Sequence, residues 1–448
     1  MPDSTIVGYI GVDVLNNATV CNEAVGLIQE GVPLIVVSVH HFDRPTYYQD
    51  ETLAGLSERI HTLYPLGWWA TAWALVCAPW LFGTRFWTTL KKMIASPAEG
   101  WRQRLRLAWH LVPAICLAAN WRKKSIGHVH AHWAHTATTI AMHTAELLGV
   151  GFSFTGHAND LFVHRVALAA KVRRARFIVC ISEYHRRFYL ALGADPARLQ
   201  VVYCGIDTDR FRPDMERAEA GRPLRRRILG VGRLVEKKGF HHLIEACAGL
   251  RDRGLDFECL IAGSGPEEAS LRQLVARHGL ADYVTLTGQP VLQEDLQVLL
   301  RSATVFALPC VEDRDGDMDG LPQVLIEAMA CGIPAVSTRL VGIPDLIRDG
   351  WNGLLVPAGD TSALASGLER VISSPRWASD LGNCATNWAR LHFGRGEAVR
   401  RLRHLFLWSA AVPGDTAPGY QWQSAPAIAC PPSKVAIRTI NGRPDVAV

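Results

Sequence analysis

Short uninterrupted apolar runs alternate along this chain with longer stretches of helical periodicity. Thr5–Val12, Leu34–Val39 (LIVVSV), Gly127–Trp133 (GHVHAHW), Gly151–Thr155 (GFSFT) and Arg176–Ser182 (RFIVCIS) have the length of strands buried on both faces. Helical patterns at Val20–Glu30 and Thr136–Leu148 fall between them. After a polar, Gly- and Pro-containing stretch at 214–225 the alternation resumes with Arg227–Gly232 (RILGVG), Phe240–Leu250, Ala303–Pro309 (ATVFALP), Ile333–Thr338 (IPAVST) and Asn352–Val356. Parallel neighbours need a crossover, usually a helix, so the pattern predicts an α/β chain with two parallel-sheet halves, 1–214 and 225–390. Helices are expected at Thr361–Ser373 and Trp377–Leu391, then an amphipathic segment, Glu397–Trp408. The last stretch, Pro413–Val448, is rich in Ala, Pro, Ser and Gly without periodicity and reads as a disordered tail.

The best-punctuated element is Asp319–Pro334 (DGLPQVLIEAMACGIP). Pro322 suits a first helical turn, Val324, Leu325, Ala328 and Met329 make an apolar face, and Gly332 with Pro334 ends it. Lying between two strand-length runs, this helix points its N-terminus toward the strand ends, where free N–H groups suit phosphate or sugar oxygens. Asp319 and Glu327 then flank Gly-Leu-Pro and can address different hydroxyls of one ligand. Taken alone, the same residues read more readily as a helix cap, Asp319, and a solvated carboxylate, Glu327.

Composition changes this picture in one region. The 448 residues carry a mild net charge of +5, but Arg85–Lys124 holds nine Lys or Arg against one acid, Glu99. Just before it, Thr62–Thr84 has no charged residue, and nine of the fourteen tryptophans lie between Trp68 and Trp133. Pro65, Gly67 and Pro79 interrupt the stretch. Residues 62–124 therefore read as a helical insertion that either packs on the domain core or lies on an anionic membrane surface, in preference to a single span. The eleven scattered cysteines form no C-x2-C metal pair or compact disulfide framework, and the N-terminus lacks a secretory leader pattern. Both observations point to a cytoplasmic location, and the basic, Trp-rich region adds a peripheral place on the membrane's inner face.

Several motifs occur in a fixed order: Thr155-Gly-His-Ala-Asn-Asp160, Gly232-Arg233-Leu-Val-Glu-Lys-Lys238-Gly239, Leu260–Pro266 (LIAGSGP), and the Asp319–Glu327 region running on to Val341-Gly-Ile-Pro344. Together, over about residues 120–400, they resemble the retaining, nucleotide-sugar-dependent glycosyltransferases of family 4, with two Rossmann-like domains facing a cleft (GT-B). The resemblance implies that the second half binds the donor and the first the acceptor, and that a helix at 391–410 returns to the first domain. Arg233 and Lys238 would grip the donor pyrophosphate, one as a planar fork and one as a point charge. Gly263 and Gly265 would belong to the donor site, with Gly320, Leu321 and Pro322 at the helix start. Glu327 would hold the ribose, Asp319 would approach the transferred sugar, and His157 would meet the sugar and help neutralise charge as the bond breaks, while Asp160 steadies its loop. The chain departs from the pattern in having Asp319 where the family has Glu, and in lacking a Gly-rich loop after the first strand.

The implied reaction is transfer from a nucleotide diphosphate sugar, a co-substrate rather than a resident cofactor, to a hydroxyl of a lipid-linked glycan or polysaccharide precursor. No metal or nucleic acid is implied. His128, His130 and His132 share one strand face, but without a carboxylate or distant ligand in the pattern they are read as structural. Two other readings share these features: a GT-B-fold sugar-nucleotide epimerase, and a non-catalytic membrane-associated partner in polysaccharide assembly.

Overall fold

The apolar runs pair into two wholly parallel sheets. In the first, β1 (Ile6–Gly11), β2 (Leu34–Ser38), β3 (Ile60–Thr62), β4 (Ile126–His132), β5 (Gly151–Gly156), β6 (Phe177–Cys180) and β7 (Leu199–Val201) lie in the order β3-β2-β1-β4-β5-β6-β7. The second contains β8 (Arg227–Val231), β9 (Glu258–Ala262), β10 (Val284–Leu286), β11 (Val305–Leu308), β12 (Ala335–Thr338) and β13 (Gly353–Val356), ordered β10-β9-β8-β11-β12-β13. Strand order reverses between β1 and β4 and between β8 and β11, so each sheet opens a crevice there at its carboxyl edge. The computed structural model describes residues 5–15, 17–40, 56–57, 59–96, 101–214 and 226–411. The linker expected at 214–225 falls almost wholly outside these residues, and the tail expected at 412–448 does so completely.

Burial explains the strand patterns. Every residue of β6, β11, β12 and β13 is buried, as strands covered on both faces require. The Arg395–Ala411 helix leaves the second half and packs Val399, Leu402, Leu405 and Phe406 against Val7, Tyr9, Val25 and Phe177 of the first. Gly26 allows that approach, since a Cβ there would overlap Val399.

Three helices fill the insertion between β3 and β4: Trp68–Phe82, Thr84–Ile94 and Trp101–Trp121. Their inner faces join Ala74, Ala78, Phe82, Leu111, Ile115 and Ala118 to Leu147 of the domain. The Trp121 ring occupies the space that a Cβ on Gly8 of β1 would take. Their outer faces leave Trp68, Trp69, Trp73, Trp80, Trp87, Trp101 and Trp109 between 53% and 80% exposed. The insertion is thus packed on the core, as the first of the two arrangements read from the sequence expects, and its outer side presents a broad apolar surface. Among the described residues, no helix is long and apolar enough to cross a membrane.

Candidate functional site

The cations that the resemblance assigns to the donor sit on the loop that leaves β8. Its Glu236–Lys238 segment is a 3-10 turn closed by Gly239, whose φ of +67° places it in the left-handed region. A side chain at Gly239 would also strike the Pro309 carbonyl. Arg233, Lys237 and Lys238 consequently line a cleft of about 400 Å³, facing Thr19 of the first half and the Asp319–Gln323 turn of the second. Gly263 and Gly265 are placed behind this wall and are not among its lining residues. A Cβ on either would strike the carbonyl of Gly232 or Leu234. Their smallness lets the loops cross in contact, with Leu234 N–H donating to the Ser264 carbonyl at 2.9 Å. They let the Arg233 loop pack closely against the turn after β9.

Neither bland reading of the paired acids survives. The helix spans Gln323–Ala330, one residue shorter at its start than expected, and Pro322 occupies the cap position without a side-chain bond. Asp319 turns instead to Lys238 at 2.5 Å and Lys237 at 3.5 Å, and Cys310 Sγ lies 3.5 Å away. Burial alone would raise the Asp319 carboxyl, but the two ammonium groups hold it below its ordinary range. Lys238, which burial would make easier to deprotonate, is held charged by Asp319. Lys237 also pairs with Asp317 at 2.8 Å. Glu327 is buried, 3% exposed, and its nearest polar partner is Gln293 Nε2 at 3.4 Å. Burial pushes its carboxyl up from 4.5 to about 7.

The facing wall comes from the first half. Asp160, 1% exposed, accepts the backbone N–H groups of Ala134 (2.6 Å), His157 (3.1 Å) and Ala158 (2.9 Å), tying the loops after β4 and β5 together. Fully buried Lys171 secures the same loops by donating to the carbonyls of Ala134, His135 and Val166. The His157 ring packs on those of His132 and Trp133 and shares a hydrogen bond with His132 at 3.1 Å. Burial, then the neighbouring His132, lower His157 to about 3. Its imidazole is therefore neutral near pH 7 and can act as a hydrogen-bond partner, not as the resting cation that charge neutralisation would use. Gly320 rests on the His157 carbonyl, where a side chain would clash, and Thr19 Oγ1 donates to Gln323 Oε1 at 2.8 Å. The two halves meet at the residues that matter.

Among the described residues, Glu23, His130 and His132 bring donor atoms within 4.8 Å of one another. Each histidine is already engaged, His130 with Ser153 and Thr155, and His132 with Tyr9, Glu23 and His157. His128 is bonded to Ser153 and Ser409, which fits the structural reading of the strand.

Comparison with known proteins agrees with this geometry. Residues 17–210 match the family model described as Glycosyltransferase Family 4, and residues 225–374 match Glycosyl transferases group 1. A GDP-mannose-dependent alpha-(1-6)-phosphatidylinositol monomannoside mannosyltransferase of Mycobacterium tuberculosis is 31% identical over 66% of this chain and 80% of its own length. The chain belongs to the family 4, group 1 glycosyltransferases. A putative colanic acid biosynthesis glycosyltransferase, WcaL of Escherichia coli, is 41% identical over 44% of this chain and 47% of its own. The match thus spans about half the length of the colanic acid relatives. Sucrose-phosphate synthase from Thermosynechococcus elongatus superposes with a TM-score of 0.68 at 19% identity, over 91% of this chain and 100% of its own. HepE of Anabaena, in complex with UDP, gives 0.66 at 16%, over 89% and 98%. Both are likenesses of fold, and with the two parallel sheets they identify the GT-B architecture.

Sequence reasoning missed two participants in this family 4 site. Lys237 was passed over because the motif marks Lys238 alone. The signal lay in the turn, since a 3-10 segment can turn adjacent lysines into one cleft. Gln293, on the cleft wall beside Glu327, carried no motif at all.

Glu327 yields a pH test. A carboxyl raised to about 7 favours its protonated form in the folded state, so folding stability falls as pH rises from about 4.5 to 7 and is level above. Glu327→Gln should remove that fall. If nucleotide ribose hydroxyls donate to this carboxylate, wild-type affinity for nucleotide diphosphate should rise over the same window and that of Glu327→Gln should not. Calorimetric titration at pH 5, 6, 7 and 8 checks both the slope and its absence.

Proposed function

We propose that this chain transfers a sugar from a nucleotide diphosphate donor, with retention of configuration and without a metal, to a hydroxyl of a lipid-linked glycan or polysaccharide precursor. The observation that carries the reading is the convergence of Arg233, Lys237 and Lys238 with the Gln323 helix start in one cleft, opposite the His157 loop. Three cations and free helix N–H groups match a diphosphate and can stabilise the charge that builds on it as it departs. In the proposed step the bond from the anomeric carbon to the phosphate oxygen breaks, its electron pair leaving with the diphosphate. The acceptor oxygen attacks from the same face, and its proton passes to the departing phosphate oxygen. Asp319, bound to two lysines, is poorly placed to serve as a covalent nucleophile. Catalysis then rests on positioning and electrostatics.

A second hollow of about 200 Å³, lined by Val12, Asp13, Asn17, Trp133 and His135, shares Asn17 with the donor cleft. Its indole and carboxylate suit an acceptor sugar. The colanic acid relative supports an exopolysaccharide precursor as acceptor, and the UDP bound by HepE and the GDP-mannose of the mycobacterial relative make UDP-sugars and GDP-mannose the first donors to try. Purified protein should release nucleotide diphosphate from one of these donors when acceptor is present, unchanged by chelator, and the product anomer should match the donor by NMR. Activity lost in chelator and restored by Mg2+ alone would overturn the metal-free mechanism. Free epimerised sugar in place of a glycoside would replace transfer with epimerisation.

The exposed tryptophans support docking on the inner face of the cytoplasmic membrane, because Arg85, Lys91, Lys92, Arg102, Arg104 and Arg106 occupy two of the same three helices. Anionic vesicles should bind the protein and high salt should release much of it, as surface charge is screened beyond about 10 Å at 0.1 M salt. Trp69→Ser combined with Trp80→Ser should weaken binding to every vesicle composition. Equal flotation of the variant and the wild type would remove this face from the reading.

A further inference from the structure

On the first sheet's opposite edge, away from the donor cleft, lies a cavity of about 550 Å³. Gly151 begins β5 there, and Arg176 and Arg198 stand immediately before β6 and β7. Arg85, Lys92, Arg174, Arg176 and Arg198 line it, with Glu146 as the one acid among the lining residues.

The cations are held in place mostly by neutral groups. Arg85 Nη1 donates to the Leu148 carbonyl at 2.7 Å, and its guanidinium lies over Gly149, where a Cβ would collide with it. Arg174 Nη2 donates to the Lys92 carbonyl at 2.8 Å and to Ser96 Oγ at 3.0 Å. Arg198 Nη1 donates to the Arg173 carbonyl at 3.0 Å, and Arg176 stacks over Trp408 at 4.5 Å. Carbonyls, hydroxyls and rings orient a cation without cancelling its charge. Glu146 does cancel part of it, lying 3.4 Å from Lys92 and 3.6 Å from Arg174, and Asp195 sits 3.7 Å from Arg198. Arg85, Lys92, Arg174 and Arg198 against these two acids already leave an excess of positive charge, and such a concentration attracts anions.

The Thr84–Ile94 helix joins this cavity to the apolar surface. At about 100° per residue, Phe86, Leu90 and Met93 form the face packed on the core, and Arg85, Thr88, Thr89 and Lys92 form the cavity wall. Trp87, Lys91 and Ile94 fall on the remaining, exposed face. The cavity therefore opens beside the tryptophan-bearing surface.

We propose that this cavity is a second anion site, separate from the donor cleft, that takes a phosphate group. A lipid headgroup and a soluble phosphate compound share that chemistry. The lipid source rests on the membrane docking proposed above, whereas the phosphate site itself does not.

The test uses Lys92→Gln combined with Arg198→Gln, chosen because these side chains are 50% and 40% exposed and the fold should tolerate their change. The first arm measures binding to phosphatidylcholine vesicles with and without phosphatidate. The double variant should bind phosphatidate vesicles on the order of tenfold more weakly, with neutral vesicles unaffected. The second arm titrates inorganic pyrophosphate in a Lys238→Ala background, which weakens the donor cleft, and the double variant should again bind more weakly. Wild type that ignores every vesicle, with pyrophosphate binding that still depends on Lys92 and Arg198, would end the docking proposal and leave a soluble ligand at this site. A folded double variant that binds vesicles and pyrophosphate like its parent overturns the site.

Discussion

Lys238→Ala should weaken nucleotide diphosphate binding roughly tenfold to a hundredfold, since a charge-assisted contact contributes about 1.5–3 kcal/mol, and should lower turnover further. The extra loss in turnover follows from the proposed chemistry, because negative charge on the diphosphate grows as the sugar leaves. Lys238→Arg should recover part of the affinity, as it restores charge but not the compact ammonium that meets Asp319 at 2.5 Å. Asp319→Ala should act oppositely on the nucleotide. It releases both Lys238 and Lys237 from their shared carboxylate, so nucleotide diphosphate affinity should hold or rise while turnover falls. Calorimetric nucleotide affinity and steady-state turnover for the three variants, measured side by side, separate these effects. Nucleotide affinity unchanged in Lys238→Ala would place the diphosphate elsewhere.

Asp160→Ala should be the most damaging single change to the first half. It strips the acceptor from three backbone N–H groups in a site that is 1% exposed, at about 1–3 kcal/mol for each group left unsatisfied. It also leaves buried Lys171 without the nearby acid that favours its charged form. A loss of several kcal/mol should lower the melting temperature by about 10 °C in a domain of this size. In the fraction that stays folded, the His157 loop should lose its register against Gly320, so turnover should drop much more than nucleotide affinity. Asp160→Asn should fall between, since its amide keeps one acceptor oxygen and adds an N–H where only acceptors fit. A folded Asp160→Ala with normal melting and turnover would show that this carboxylate does not organise the site.

Element placement was legible because it depends on local patterns. The helices at Thr136–Leu148 and Thr361–Ser373 occupy the residues their periodicity predicts. Strands β11, β12 and β13 lie inside the apolar runs that announced them, each trimmed at its start and β11 also at its end, where the chain turns into loops. The order of motifs also marked Arg233 and Lys238 as cleft residues and Asp160 as the brace of the His157 loop. Gly263 and Gly265 show where that legibility stopped. The motif marked the turn they stand in, but the carbonyls of Gly232 and Leu234 that pack against them come from another loop and were not readable.

The sequence by itself determined two α/β halves, the positions of their strands, and which residue types stand at the carboxyl ends of those strands. Hydrophobic periodicity and chain geometry act over a few residues, so neighbours in sequence suffice to set them. The tertiary structure alone decided that Asp319 is held by Lys238 eighty-one positions earlier, that burial shifts Glu327 and His157 in opposite directions, and that Arg85, Glu146, Arg174 and Arg198 surround one cavity. Electrostatic and hydrogen-bond partnerships depend on distance through space and on the water removed from around each group. Both quantities exist only once the sheets have stacked their crossovers and the Arg395–Ala411 helix has bound one half to the other.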